Sequence, residues 1–204
     1  MKLELIHEEK VFDPALNLAR DAAYWKDGQG NQARVWRNDR CVVLGRFLKP
    51  GDEVHLDKAC KLGIPVLKRA SGGGAVFHDM GNLNYSLYLD GESLPFLDIK
   101  ESMLDLSYPV IALLESLQVP WEWVPPNNIY VEGKKISGSA QARSRGRLLH
   151  HGTLLVSCDL DSMRSLLKPG GRSKIAPVIN LAEVVPGIEV DLAQSLLAEV
   201  LIHP

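Results

Sequence analysis

The sequence has 204 residues, 46% hydrophobic and 24% charged, which suits one globular core that needs no disulfide or metal staple. Its 23 Lys and Arg against 25 Asp and Glu leave a net charge of -2 without blocks of like charge, which argues against a general nucleic-acid binder. No apolar run nears the about 18 residues of a membrane span, and the start MKLELIHEEKVFD has acids where a signal peptide is apolar; a cytoplasmic, membrane-free chain is expected.

Asp13-Pro14 reads as an N-cap followed by Pro at the first helical position, with Leu16, Ala19 and Ala23 at helical spacing up to KDGQGNQ. The runs RVWRN and CVVLGRF, separated by Asn38-Asp39, are predicted to pair as an antiparallel hairpin. Asp52 is predicted to cap a helix that continues through Cys60 and stops at Gly63, before a strand in IPVLKR. After the loop SGGGAVFHDMG, Leu83, Tyr85, Leu87 and Leu89 alternate with Asn84, Ser86 and Tyr88, the pattern of a half-buried strand. Helix-period apolar residues run from Asp98 to Val119, with Pro109 marking a kink or a start, and VPWEWVPP then breaks the chain. IYVEGKKISGSAQ reads as a hairpin and LLHHGTLLVS as its partner strand; a short helix in DSMRSLL, the loop KPGGRSKIAP and a helix from Val190 to Ile202 complete the chain. Antiparallel strand groups with helices between them predict an α+β fold, and the absence of repeats or linkers predicts one domain over 1–204.

Three consecutive glycines, Gly72, Gly73 and Gly74, remove the Cβ atoms that would keep backbone N–H groups from an anion, while Arg69 and His78 flank the same loop. The spacing fits neither the P-loop nor the dinucleotide fingerprint. In the strand after Gly133, alternation puts Lys135 and Ser137 on one face and Lys134 and Ile136 on the other, so one lysine alone can enter a shared pocket. His150 and His151 likewise face opposite sides, which leaves one of them exposed and argues against a shared metal. Cys41, Cys60 and Cys158 lack CxxC spacing and read as reduced, buried thiols. Neither a nucleophile elbow nor HExxH occurs, so any catalysis rests on positive charge and backbone donors.

Together LKRASGGGAVFHDMGNLNYS, NNIYVEGKKISGSAQ and HHGTLL, supported by PALNLARDAAYW, VWRNDRCVVLGR and VINLAEVVPGI, resemble the lipoate–protein ligase A family over nearly the whole chain. The resemblance implies a mixed, largely antiparallel sheet flanked by helices, shared with biotin ligases and class II synthetases. It implies formation of lipoyl-AMP from lipoate and ATP, with Mg²⁺, and transfer of the lipoyl group to a lysine of a carrier domain of the 2-oxoacid dehydrogenase E2 or glycine-cleavage H type. On that basis Lys135 is the expected catalytic residue, stabilising charge on the adenylate. Arg69, Ser71, Gly72, Gly73, Gly74, Val76, His78, Asn128, Gly138, Ala140 and His151 form the expected substrate and adenylate set. Trp36, Val43 and Leu44 are candidates for an apolar acyl slot.

Two departures qualify the match. Asn127-Asn128 stands where many of these ligases have Asn-Asp, removing a carboxylate expected to help hold Mg²⁺. The sequence also stops where two-domain ligases continue, which implies a separate accessory subunit and a mobile closure by KPGGRSKIAP, with Arg172 and Lys174 over phosphates. The alternatives are an octanoyl or lipoyl transferase, cysteine-dependent or adenylate-using, and a non-catalytic lipoyl-binding subunit. The cysteine route lacks a thiol at either position where the family's transferases carry one: Lys168-Pro169-Gly170-Gly171 and the segment 121–126 have none. Biotin ligation is disfavoured because SGGGAVFHD replaces that family's arginine-rich loop.

Overall fold

A computed structural model describes residues 3–7, 9–91, 98–144, 146–169 and 176–202. The elements run β1 (Glu4–Leu5), α1 (Pro14–Asp27), β2 (Gln32–Trp36), β3 (Cys41–Leu44), α2 (Pro50–Glu53), α3 (Leu56–Lys61), β4 (Val66–Lys68), β5 (Val76–His78) and β6 (Asn82–Asp90). They continue with α4 (Ile99–Asp105), α5 (Tyr108–Ser116), β7 (Glu122–Val124), β8 (Asn128–Val131), β9 (Lys134–Ser144), β10 (Arg147–Leu155), α6 (Leu160–Leu166), α7 (Leu181–Val184) and α8 (Val190–Ile202). Seven strands form one sheet in the order β1-β2-β6-β10-β9-β8-β7, and β4-β3-β5 form a second. Among the described strands β1/β2 and β3/β4 pair in parallel and the other pairs are antiparallel, so the α+β expectation holds.

The Asp13 carboxylate accepts from the Leu16 amide at 2.6 Å and Pro14 opens α1, as the sequence indicates. The hairpin predicted for residues 34–47 does not form, because β2 and β3 belong to different sheets. Its supposed turn residue Asn38 is fully buried: its carbonyl accepts from Asn17 at 2.9 Å and its amide donates to His78 Nδ1 at 3.1 Å. A turn-forming residue type here fastens a crossing between sheets. The predicted helix from Asp52 to Cys60 is split into α2 and α3 by Val54, which bridges to Leu167, and Asp52 lies inside α2 rather than capping it. Pro109 marks the start of α5, α4 being a separate helix, and the expected break at VPWEWVPP contains β7.

The strand predicted as half-buried, β6, is buried on both faces from Asn82 to Leu89. Leu83, Tyr85, Leu87 and Leu89 pack with Val110, Leu113 and Leu114 of α5 and Leu197 and Leu201 of α8. Its even-numbered face is covered by α1, where Ser86 and Tyr88 meet Asp21. The alternation had the correct phase, but a central strand covered by helices on both sides has no solvent face. A second core joins β3 and β5 to α6 through Val42, Leu44, Phe77, Met163 and Leu166. The site lies where the two sheets meet.

Candidate active site

A cavity of about 410 Å³ opens there, a size usual for small-molecule sites. Arg69, Gly73, Gly74, Val76, His78, Asn128, Lys135, Gly138, Ala140 and His151 all line it. Ser71 and Gly72, expected as ligand contacts, are not part of the lining; both accept hydrogen bonds from Arg69, which is. Trp36 and Val43 line the cavity, whereas Leu44 is buried in the second core and is withdrawn from the acyl slot. No acidic side chain lines the cavity among the described residues.

The glycine loop is folded around Arg69, whose Nε donates to Ser71 Oγ at 3.0 Å, Nη2 to the Gly72 carbonyl at 2.6 Å and Nη1 to the Val43 carbonyl at 3.3 Å. Gly73 has φ of 90°, and a Cβ there would stand 2.7 Å from Arg69 Nη2, so a side chain would meet both strain and collision. Burial lowers the Arg69 pKa to about 10, with Asp21 acting in the opposite sense, and the guanidinium stays charged at neutral pH.

His151 comes from β10, opposite Ala140 of β9 and Ser86 of β6. Its Nε2 is 2.6 Å from Ser71 Oγ and its Nδ1 is 2.8 Å from Asp21 Oδ2. Burial alone would raise the Asp21 pKa, but His151 and the hydrogen bonds from Ser86 at 2.6 Å and Tyr88 at 2.8 Å hold it below the ordinary carboxylate value. His150 does face the other way, yet the expected exposed histidine is absent: His150 is fully buried, hydrogen-bonded to Tyr85 and Gln141 at 3.1 Å each, because β10 is covered on both faces.

His78 is pushed down to about 3, first by burial and then by Arg69 and His151, and is therefore a neutral imidazole. Its Nδ1 accepts from Asn38, which assigns the proton to Nε2. That atom, Asn82 Oδ1 and Asn84 Nδ2 have no hydrogen-bond partner among the described residues, and all three residues line the cavity. The wall thus offers neutral donors and an acceptor as well as cations.

Lys135 enters the cavity and Lys134 is exposed, as alternation requires. The partner assignment beyond Lys135 is different. In the β8/β9 ladder Ile129 pairs with Ser137 and Tyr130 with Lys135, so Ile136 is an extra residue in a β-bulge. The bulge changes the phase of the strand: a Cβ on Gly138 would lie 2.6 Å from Lys135 Nζ, and Ala140 faces Gly73, while Ser139 Oγ points to Ser107. Lys135 therefore shares its face with Gly138 and Ala140, not with Ser137. Burial, then the Arg69 charge, lowers the Lys135 pKa to about 8.

The three thiols are free. Cys41 and Cys158 are buried and outside the cavity lining; burial pushes Cys41 up to about 12 and also raises Cys158, so neither is a ready thiolate. Cys60, expected to be buried, is exposed. Asp21 and Leu18 escaped the sequence reading. The available signal was that Asn17 and Asp21 share the helical stripe of Pro14 and Trp25, and all four are buried; polar groups on an inward stripe call for partners. Gly170, Gly171, Arg172 and Lys174 of the proposed closing loop lie outside the described residues.

A cavity with cationic and apolar portions, walled by a glycine loop on an α+β frame, has the chemistry to accept an anionic molecule carrying an apolar chain. The chain belongs to the lipoyl protein ligase A/B catalytic domain family, whose model matches residues 13–202. It is 34% identical over 165 residues to lipoate–protein ligase LplJ of Bacillus subtilis, covering 80% of this chain and 49% of that protein. The chain thus spans about half the length of this curated relative. Among solved structures it superposes on a bi-partite lipoate protein ligase of Thermoplasma acidophilum, described with its E2 lipoyl domain, at a TM-score of 0.86, 29% identity and coverage of 98% and 82%. A lipoate–protein ligase A bound with ATP gives a TM-score of 0.84 at 30% identity, covering 98% of this chain and 83% of that one.

Proposed function

We propose that this chain is a catalytic domain that activates lipoate with ATP and passes the lipoyl group to a carrier lysine. The observation that carries this reading is Lys135, a half-buried ammonium facing Arg69 across a cavity that no acidic side chain lines among the described residues. In the first step the lipoate carboxylate attacks the α-phosphorus of ATP and pyrophosphate leaves; in the second a neutral lysine amine of the carrier attacks the acyl carbonyl, AMP leaves and the amine proton is released. Lys135 stabilises the negative charge on the phosphate and on the carbonyl oxygen in both steps. Arg69, the Gly73 and Gly74 backbone and His78 Nε2–H supply further donors, with Trp36 and Val43 beside the apolar chain.

Mg²⁺ accompanies ATP in this proposal. No group of three His, Cys, Asp or Glu side chains that could hold a metal occurs among the described residues, and Asn128 offers only a neutral amide oxygen. The ion is therefore assigned to the nucleotide phosphates. Carrier domains of the E2 or H type are the proposed acceptors, and the bi-partite description of the Thermoplasma relative supports an accessory polypeptide here. No helix among the described residues is long and apolar enough to cross a membrane, and three free thiols support a cytoplasmic setting. The lack of a thiol in the cavity lining favours the adenylate route over a cysteine-dependent transferase.

The test is lipoate-dependent ATP–pyrophosphate exchange, run beside transfer from preformed lipoyl-AMP to an E2 lipoyl domain. Transfer without exchange is the result expected if an accessory polypeptide completes activation; absence of both refutes the proposal.

A further inference from the structure

We infer that Asp21, which does not line the cavity, is a positioning residue that fixes Arg69 and the glycine loop through His151 and Ser71. The inference rests on the ligase reading only for its kinetic test.

With Asp21 ionised and His151 a neutral imidazole, the geometry gives each proton of the relay one place. An ionised carboxylate can only accept, so the nitrogen 2.8 Å from Asp21 Oδ2, His151 Nδ1, carries the imidazole proton. In the neutral imidazole that this inference assigns to His151, Nε2 is then the acceptor, and at 2.6 Å it takes the single hydroxyl proton of Ser71. Ser71 Oγ is left with lone pairs, and Arg69 Nε donates to it at 3.0 Å. The relay runs from Arg69 to Ser71 to His151 to Asp21, with one donor for each acceptor.

Its far end is anchored. Asp21 Oδ1 accepts from Ser86 and Tyr88 of β6, which leaves Oδ2 for His151. Asp21 and Ser71 are each 1% exposed and His151 is 8% exposed, so water cannot readily replace a member. At the near end, the Arg69 bonds to Gly72 and Val43 tie the guanidinium to the loop backbone. One carboxylate on α1 thereby orients groups on β10, in the loop and at the end of β4, the preorganisation that an anion site requires.

Asp21→Asn tests the relay with little change of shape. The amide oxygen can still accept from Ser86 and Tyr88, but the amide nitrogen would donate to His151 Nδ1. The imidazole proton must then move to Nε2, and the Ser71 hydroxyl turns to the Gly72 carbonyl, 3.4 Å away, where it competes with Arg69 Nη2. Imidazole ¹⁵N NMR, assigned with a His151→Gln reference, should show the Nδ1–H tautomer in the unaltered protein and the Nε2–H tautomer in Asp21→Asn. The Arg69 Nε–H resonance should shift in the same variant. In pyrophosphate exchange the KM for lipoate should rise about tenfold, the low end for losing an orienting partner, with the KM for ATP within about twofold.

Ser71→Ala cuts the relay without altering Asp21, so it should leave the His151 tautomer unchanged while moving the Arg69 resonance and the lipoate KM. It also decides the matter if Asp21→Asn does not fold. A proton on His151 Nε2 in the unaltered protein, or an Arg69 resonance unmoved in Ser71→Ala, overturns the inference. So does an unchanged lipoate KM in a protein that performs exchange. If the unaltered protein performs no exchange, the two NMR readouts still decide the relay, separately from the ligase reading.

Discussion

Arg69 and Lys135 look into the same cavity but are held in opposite ways. The guanidinium donates to Ser71, Val43 and Gly72, so Arg69 builds the loop it belongs to. Lys135 Nζ makes no hydrogen bond to another described residue, and Gly138 leaves it space that a side chain would fill. Arg69 is thus part of the scaffold as well as of the cavity wall, whereas Lys135 is a partly desolvated charge that the proposed function assigns to the ligand. The cost of such a charge falls on stability and its benefit on chemistry.

The largest expected effect follows from that asymmetry. Lys135→Ala should lower the rate of adenylation and transfer by about 10² to 10³, the scale for removing one donor to a developing negative charge. Its thermal midpoint should stay within about 3 °C of the unaltered protein or rise, because no native hydrogen bond is lost. Arg69→Gln should do the reverse in proportion, with a smaller loss of rate but a stability loss of about 1–3 kcal/mol from buried acceptors left unpaired, measured by urea unfolding. Equal destabilisation by both substitutions would break the comparison.

A pH series sharpens it. The Lys135 pKa is about 8 in the folded protein against 10.5 ordinarily, so between these values the unfolded chain binds more protons and stability rises with pH. Below about 8 the penalty for burying the charge is fully present. Unfolding midpoints of the protein and of Lys135→Met should therefore converge as pH increases through that window. Activity should move the other way, with kcat/KM falling as pH passes about 8 and the ammonium is lost. The smallest effect belongs to Lys134→Ala: Lys134 is exposed, and its loss should change activity by less than about twofold, a surface substitution away from the site.

The cavity lining was more legible than the strand pairing because its cues are local. Arg69, the glycines and His78 fall in one short stretch, and Lys135, Gly138 and Ala140 in another, where sequence neighbours are also neighbours in space. Strand pairing depends on distant partners. Asn38-Asp39 has turn chemistry in any window around it, and only Asn17 and His78, remote in sequence, reveal a buried crossing. His150 could be assigned to a face but not to its degree of burial, because coverage comes from other elements. Asp21 was missed for the same reason: its partners Ser86, Tyr88 and His151 are each more than sixty residues away.

The bulge at Ile136 sets a rule for length variation among related chains. A relative lacking that residue would have a regular β8/β9 ladder with the lysine two positions before the glycine, still on one face of the pleat. A relative with one additional residue on β8, closing the ladder opposite Ile136, would instead hold them three apart in unbroken alternation and turn the lysine toward the helices. A one-residue gap in an alignment here therefore has opposite meanings on the two strands: on β9 it is neutral to the site, and on β8 it removes the cation.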